Sequence, residues 1–316
     1  MSAPMNSPTN LVIPKGVSPE ESARASSQNA AVLEREPADP GARPVPPKLA
    51  LQDLTLWYNT PAGRLVALDN INLQVSTGEF LCIVGPSGCG KSTLLYLIAG
   101  LNQPSTGRVL MDGNVVEHTG TDRIMIFQEH GLFPWLTVEE NVEFGMKMKG
   151  IKKAQRREQA NEYLKLVHLQ KFGKSYIHQL SGGMRQRVAI ARALATEPDV
   201  LLMDEPFAAL DAQTRDLLHD ELERIWAETG RTIVFVTHNV REAVRLGDRV
   251  AVFTFRPGRV KREYKIDLPR PRHLEDAAVA GTAREILGDL REEIDKSLVA
   301  EYESGVKPSG PRGAQR

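Results

Sequence analysis

The chain has 316 residues, with 40 Lys and Arg against 40 Asp and Glu and a formal net charge of zero. That length can bury a sizeable core, and the even charge leaves no global field to draw the molecule to nucleic acid or anionic lipid. No apolar stretch approaches the roughly 20 residues of a membrane-spanning helix, and the first residues lack the basic and apolar regions of a secretion signal.

From Met1 to Lys48 there is no aromatic residue and much Pro, Ser and Ala, so residues 1–48 are expected to form a disordered tail. Leu11-Val12-Ile13 is the apolar run that a docking arm would use. From Leu49 short apolar runs bounded by glycine predict strands at Leu49–Leu56, Ile71–Val75 and Phe80–Val84, the closely spaced early ones antiparallel. Further runs at Arg123–Phe127, Val200–Met203, Thr232–Thr237 and Arg249–Phe255 alternate with helical stretches, the pattern of a mainly parallel sheet covered by helices. Glu139–Lys149 and Lys153–His168 are charged and helical in period, which predicts a helical subdomain inserted at about 129–190. After Leu268-Pro269-Arg270-Pro271-Arg272 comes a helix near Ala278–Tyr302 and a Gly/Pro/Arg end. The expected class is α/β, with one domain over 49–267, a small antiparallel β subdomain within it, and an extension over 268–316.

The strand Phe80–Val84 runs into Gly85-Pro86-Ser87-Gly88-Cys89-Gly90-Lys91-Ser92-Thr93 and an apolar helix. This is a phosphate-binding loop in its strand-to-helix setting, the mark of a P-loop NTPase core. Glycines let backbone amides turn inward around phosphate oxygens, and the helix N-terminus adds partial positive charge. Lys91 is expected on the β- and γ-phosphates and the Ser92 hydroxyl on Mg²⁺. The two cysteines of the chain, Cys82 and Cys89, flank this turn and form neither a metal-ligand pair nor a disulfide framework, which suits a reducing cytoplasm. Cys89 is read as packing and not as a catalytic thiol.

Asp199-Val200-Leu201-Leu202-Met203 ends in two adjacent carboxylates, Asp204 and Glu205. An Asp-Glu pair alone is usually a solvated turn. After a buried strand in a chain with a phosphate loop, Asp204 is expected to hold Mg²⁺ and Glu205 to act as general base on water. His238 closes the strand Thr232–Thr237 and is expected at the same sheet edge, where an imidazole can meet the γ-phosphate or the attacking water. The six other histidines are given no chemical role.

Leu180-Ser181-Gly182-Gly183-Met184-Arg185-Gln186-Arg187 goes beyond a generic phosphate-loop protein and resembles the signature sequence of ABC ATPases. Physically it opens a second helix with Ser and two Gly, hence a second anion-binding helix end. The resemblance covers about Leu49–Asp267. It implies that two copies, or this chain and a second ATPase subunit, meet head to tail, with Ser181, Gly182 and Gly183 of one capping ATP on the phosphate loop of the other. In the same way Gln128 resembles the Q-loop glutamine that senses Mg²⁺, Asp211 in Ala209-Leu210-Asp211 the D-loop aspartate, His238 the switch histidine, and Tyr58 the aromatic that stacks on adenine. Trp57 is its rival, since strand alternation sends neighbours to opposite faces. Met184 stands where many relatives have glutamine.

The family also includes soluble ATPases that act on nucleic acid or macromolecular complexes, and that is the alternative function. The long coiled-coil insertions, tandem cassettes and zinc-binding cysteines of those branches are missing from this sequence. Gly131-Leu132-Phe133-Pro134-Trp135-Leu136-Thr137-Val138 lies in the region that docks a transmembrane subunit's coupling helix in the family; Phe133, Trp135 and Leu136 either serve that role or close the subdomain core. This run, Asn141-Val142 and the Leu268–Arg272 segment resemble the nitrate, sulfonate and taurine importer branch. The resemblance implies ATP and Mg²⁺ as ligands, transmembrane permease subunits and indirectly an extracytoplasmic solute-binding protein as partners, and a peripheral place on the cytoplasmic face of the inner (plasma) membrane.

Overall fold

The computed structural model describes residues 46–303 apart from Ala62 and His130. Positions 1–45 of the expected tail, Leu11-Val12-Ile13 among them, and the expected loose end beyond 303 lie outside the described residues.

Strands β1 (Leu49–Thr60), β2 (Gly63–Val75), β4 (Thr106–Met111) and β5 (Asn114–Val115) form an antiparallel sheet ordered β2-β1-β4-β5. Strands β3 (Phe80–Val84), β6 (Arg123–Ile126), β7 (Val200–Asp204), β8 (Thr232–Thr237), β9 (Arg249–Phe253) and β10 (Val260–Lys265) form a second sheet ordered β10-β9-β3-β8-β7-β6. Its pairs are parallel except β9 with β10. Helices are α1 (Lys91–Ala99), α2 (Val138–Met148), α3 (Lys153–Leu166), α4 (Gly182–Leu194), α5 (Ala212–Thr229), α6 (Val240–Leu246) and α7 (Ala277–Glu303).

The central strands are apolar throughout because both faces are covered. Phe80, Cys82 and Val84 of β3 join one core with Ile233 and Phe235 of β8, beneath the helices, while Leu81 and Ile83 join a second core with Val234 and Val236, against α1 and the antiparallel sheet. The period of two divides each strand between the layers, and each fully buried side chain contributes about 1.5–3 kcal/mol of transfer free energy.

Where the structure differs from the sequence expectations, long-range pairing is the cause. The strand expected at Ile71–Val75 is the end of a longer β2; Asp53 and Asn70 take positive φ and the β1–β2 register shifts beside them, which breaks the apolar alternation. Edge strand β10 went unrecognised because its Lys, Arg and Glu side chains suit an edge. Lys48, assigned to the tail by composition, is buried, and its ammonium bonds Asp112 at 2.7 Å and Asp199 at 2.9 Å.

No break in packing falls at 268. Val279, Ala283, Ile286 and Leu290 of α7 belong to the same core as β3 and β8. Arg270 stacks 4.4 Å from the Trp226 ring and pairs with Glu223 and Asp248, each at 3.0 Å. Arg272 is buried and donates to the carbonyls of Val244 (2.8 Å), Gly247 (2.6 Å), Ile266 (3.1 Å) and Leu268 (2.9 Å). Burial, then the nearby Arg270 charge, pushes its guanidinium down to about 10. The Pro-Arg-Pro-Arg run is thus an internal brace across the end of α6.

Asn141 does similar service in the helical region. Its amide is buried, accepts from the Phe133 N–H at 2.9 Å, and donates to the carbonyls of Phe133 (3.1 Å), Leu136 (3.3 Å) and Thr137 (2.9 Å). Thr137 and Glu140 complete a capping box at the start of α2. The loop 133–137 is therefore held from both ends.

Arg272→Met keeps the aliphatic stem and orphans buried carbonyls, at an expected cost of about 3–5 kcal/mol. Calorimetry should show the thermal midpoint falling by roughly 10 °C. A change within ~2 °C would mean that water replaces the guanidinium and that the brace is dispensable.

Candidate functional site

Parallel pairing sets the site. Val84 at the end of β3 lies opposite Thr237 of β8, and Asp204 at the end of β7 lies opposite Val236. The residues that follow, Gly85, Glu205 and His238, therefore leave the same sheet edge, as the sequence led us to expect.

The phosphate loop joins β3 to α1 with Gly90 at φ 101° as the residue before the helix, where a β-carbon would sit 2.8 Å from Leu68 Cδ2. No side chain caps α1 and no acidic residue occupies its first turn, so its N-terminal amides keep their positive end for an anion. Lys91 is buried, and its ammonium donates to the carbonyls of Gly85 (2.9 Å) and Pro86 (3.0 Å), 4.0 Å from Glu205 Oε1. Ser92 Oγ donates to Asp204 Oδ1 at 3.0 Å. Burial raises the Asp204 carboxyl, the Ser92 hydroxyl opposes that shift, and the Glu205 charge adds to it. Cys89 is fully buried, and burial pushes its thiol up, away from the thiolate form.

Glu205 takes a left-handed φ of 44°, its N–H bonded to Val236 O at 2.9 Å, and this turns the carboxylate out of the strand. Its Oε2 meets His238 Nδ1 at 2.8 Å. The His238 bond holds the Glu205 carboxyl below its usual range despite burial, and the same bond raises His238 above 6.5. Thr237, next to His238, donates to Glu242, which also bonds the buried His219 at 2.6 Å; the Thr237 hydroxyl in turn accepts from Asn239 N at 3.0 Å. His219 was given no role from the sequence. Its burial beside Glu242 depends on the docking of α5 on α6, which no local pattern reveals.

A cavity of about 580 Å³ is lined by Tyr58, Ser87, Lys91, Ser92, Gln128 and Arg256, and reaches Asp204 and Glu205. Tyr58 is half exposed beside it, whereas Trp57 packs beneath the Arg64 guanidinium at 4.3 Å and does not line it. Pro86 and Cys89 are also absent from its lining; Thr93 is present. Arg256 was missed by the sequence reading because it lies far along the chain, after β9.

Ser181, Gly182 and Gly183 are not part of this lining. Ser181 caps α4, its hydroxyl accepting from Met184 N at 3.3 Å, and Met184 packs on the core. Asp211 caps α5 and accepts from Thr214 N at 3.0 Å, which holds its exposed carboxyl below the usual range. The two caps abut, since a β-carbon on Gly183 would come within 2.5 Å of the Thr214 methyl.

Among the described residues no cluster of three or more His, Cys, Asp or Glu could hold a metal. Two hard oxygens, Ser92 Oγ and Asp204 Oδ1, fit Mg²⁺, which takes few protein ligands and completes its shell with water and phosphate. No helix among the described residues is long and apolar enough to cross a membrane.

The pH behaviour of the Glu205–His238 pair follows from the two shifts. His238 gains stability from the contact below 6.5 and loses it as pH rises through its raised folded value; Glu205 keeps its share above 4.5 and loses it as pH falls through its lowered value. NMR titration should give a His238 midpoint above 6.5 in the unmodified protein and below 6.5 in Glu205→Gln, where burial acts without the carboxylate. An unchanged midpoint would dissolve the pair.

Comparison with known proteins bears on this geometry. Residues 68–208 match the family model described as ABC transporter. The nitrate import ATP-binding protein NrtD of Synechocystis sp. is 51% identical over 221 residues, covering 70% of this chain and 83% of the relative. The taurine import ATP-binding protein TauB of Pelagibacter ubique is 47% identical over 219 residues, covering 69% and 83%. A dimeric post-hydrolysis ATP-binding cassette bound to ADP and Pi superposes with a TM-score of 0.63 at 37% identity, covering 70% of this chain and all of that one. On this evidence the chain belongs to the ABC transporter ATP-binding proteins, the subunits that couple ATP hydrolysis to transport.

Proposed function

We propose that this chain hydrolyses ATP to energise the import of a small anionic solute of the nitrate, sulfonate or taurine kind, as half of a nucleotide-sandwich dimer under transmembrane permease subunits. The observation that carries the catalytic reading is that Glu205 is bracketed by Lys91 at 4.0 Å and His238 at 2.8 Å, each suited to the γ-phosphate. When ATP enters, Lys91 exchanges the Gly85 and Pro86 carbonyls for β- and γ-phosphate oxygens. His238 turns to the γ-phosphate as well. Glu205, released from both, accepts a proton from the attacking water.

Ser92 and Asp204 hold Mg²⁺, with Gln128 as its sensor; the ion when bound neutralises charge growing on the phosphate oxygens. Tyr58 stacks on adenine, and the loop from Gly85 to Thr93 wraps the phosphates. Ser181, Gly182 and Gly183 cap the nucleotide of the other protomer and Asp211 faces across the interface, which explains why that helix end stands apart from its own chain's cavity. The dimeric ATP-binding cassette bound to ADP and Pi supports this arrangement.

Support for import comes from the printed roles of NrtD and TauB. Support for permease docking comes from the 131–137 loop: Phe133 packs 4.4 Å from Phe144 while Trp135 is 70% exposed. Leu132 packs on the core, Phe133 lines a cavity with Phe144, and Trp135 is left for the coupling helix. This reading sets the protein on the cytoplasmic face of the membrane, with the extracytoplasmic solute-binding protein an indirect partner and nucleic acid none.

Glu205→Gln should lower turnover by about 100-fold or more while leaving ATP binding intact. Sedimentation of that variant should show a dimer with Mg-ATP and a monomer without. Normal turnover would remove Glu205 from the role of base. Lys91→Ala should lower turnover by about 100-fold or more through lost phosphate contacts; titration calorimetry that finds ATP affinity unchanged would show that the lysine does not bind phosphate.

A further inference from the structure

We propose that Arg256 is a positioning residue of the nucleotide site, and that the C-terminal helix α7 sets its place through Glu293. The inference rests on the ATP-site reading above and adds to it a residue and an element outside the recognised motifs.

Arg256 lies in the turn between β9 and β10, and its Nε donates to the Gly88 carbonyl at 3.0 Å. The guanidinium lies against the phosphate loop because residue 88 has no side chain: a β-carbon there would stand 2.9 Å from Nη2. In a planar trans peptide the carbonyl of Gly88 and the N–H of Cys89 point opposite ways. With the carbonyl drawn to Arg256, the Cys89 N–H faces into the loop, where it reaches Pro86 O at only 3.4 Å. That is a long, weak contact, and on the ATP-site reading the N–H can exchange it for a phosphate oxygen. Arg256 also lines the cavity itself, so its charge adds to the attraction for phosphate.

The turn that carries Arg256 is fixed on three sides. Gly258 N–H donates to Ala67 O at 2.9 Å, Asp69 N–H donates to Gly258 O at 3.0 Å, and the Gly258 backbone approaches Cys89 O so closely that any side chain would collide. From the third side Phe255 N–H donates to Glu293 Oε2 at 2.9 Å. Glu293 is 2% exposed on α7 and also takes Lys261 at 3.1 Å and Lys296 at 2.7 Å. Burial works against its charge, yet the Lys296, Phe255 and Lys261 donors hold its carboxyl below the usual range. A buried carboxylate on the last helix thus anchors the residue next to the arginine that orients the loop amide. A cavity of about 650 Å³ lies between the turn and α7, lined in part by Phe255, Arg256 and Glu293.

The test is titration calorimetry with Mg-ADP, with steady-state hydrolysis alongside, on the unmodified chain, Arg256→Ala, Glu293→Gln and the double variant. Arg256→Ala should weaken Mg-ADP about three- to tenfold, the range for an exposed charge-assisted hydrogen bond, and raise KM for ATP more than it lowers kcat. Arg256→Lys should recover part of the loss. Glu293→Gln should weaken Mg-ADP in the same direction, and the double variant should be no weaker than Arg256→Ala. Thermal midpoints separate this from unfolding. If both single variants bind as the unmodified chain does, the inference is overturned; if their losses add, Glu293 does not act through Arg256 and the α7 link is overturned. Failure of the unmodified chain to bind Mg-ADP would overturn the ATP-site reading, and the inference with it.

Discussion

Everything in this molecule depends on the parallel pairing of β3, β8 and β7. Their side chains are apolar on both faces, so any shift of register would move large buried residues between two different cores, and no polar alternation exists to stabilise a slipped pairing. That rigidity is what lets three segments from distant parts of the sequence meet. Gly85, Glu205 and His238 follow directly on those strand ends, where chain direction changes and backbone amides become available. The helices beneath the sheet and the antiparallel strands above it serve to seal the two faces.

At the strand ends electrostatics takes over from packing. Glu205 bears a strained backbone angle of 44°, and its carboxylate is balanced by His238 and more distantly by Lys91. A carboxylate so paired is a poor base. On the proposed function, the incoming phosphate would draw those partners away and so take part in activating the base.

The class of fold and the residues gathered at the sheet edge were readable in the sequence because their signals are local: a strand, a glycine turn and a helix within a dozen residues, or a carboxylate pair at a strand's mouth. Which of Tyr58 and Trp57 borders the cavity needed the structure, since alternation says only that the two face opposite ways. What stayed hidden is long-range. Lys48 reads as tail until Asp112 and Asp199 come up beside it. Arg270 and Arg272 read as the start of the C-terminal extension, and Arg256 carries no signal at all, until the chain returns to place carbonyls beside them. Cations that bond backbone oxygens leave no pattern in sequence, because every residue has a carbonyl.

The contact between Gly183 and Thr214 limits how this chain can vary. Gly183 sits in ordinary helical backbone, so space and not conformation demands a glycine there, and the space is taken by one methyl group from α5. A larger residue at 183 becomes tolerable only if position 214 shrinks first, so the two sites form a ratchet in which the order of substitutions matters. While Thr214 keeps its methyl, position 183 is held to glycine by a residue more than thirty positions away in the sequence.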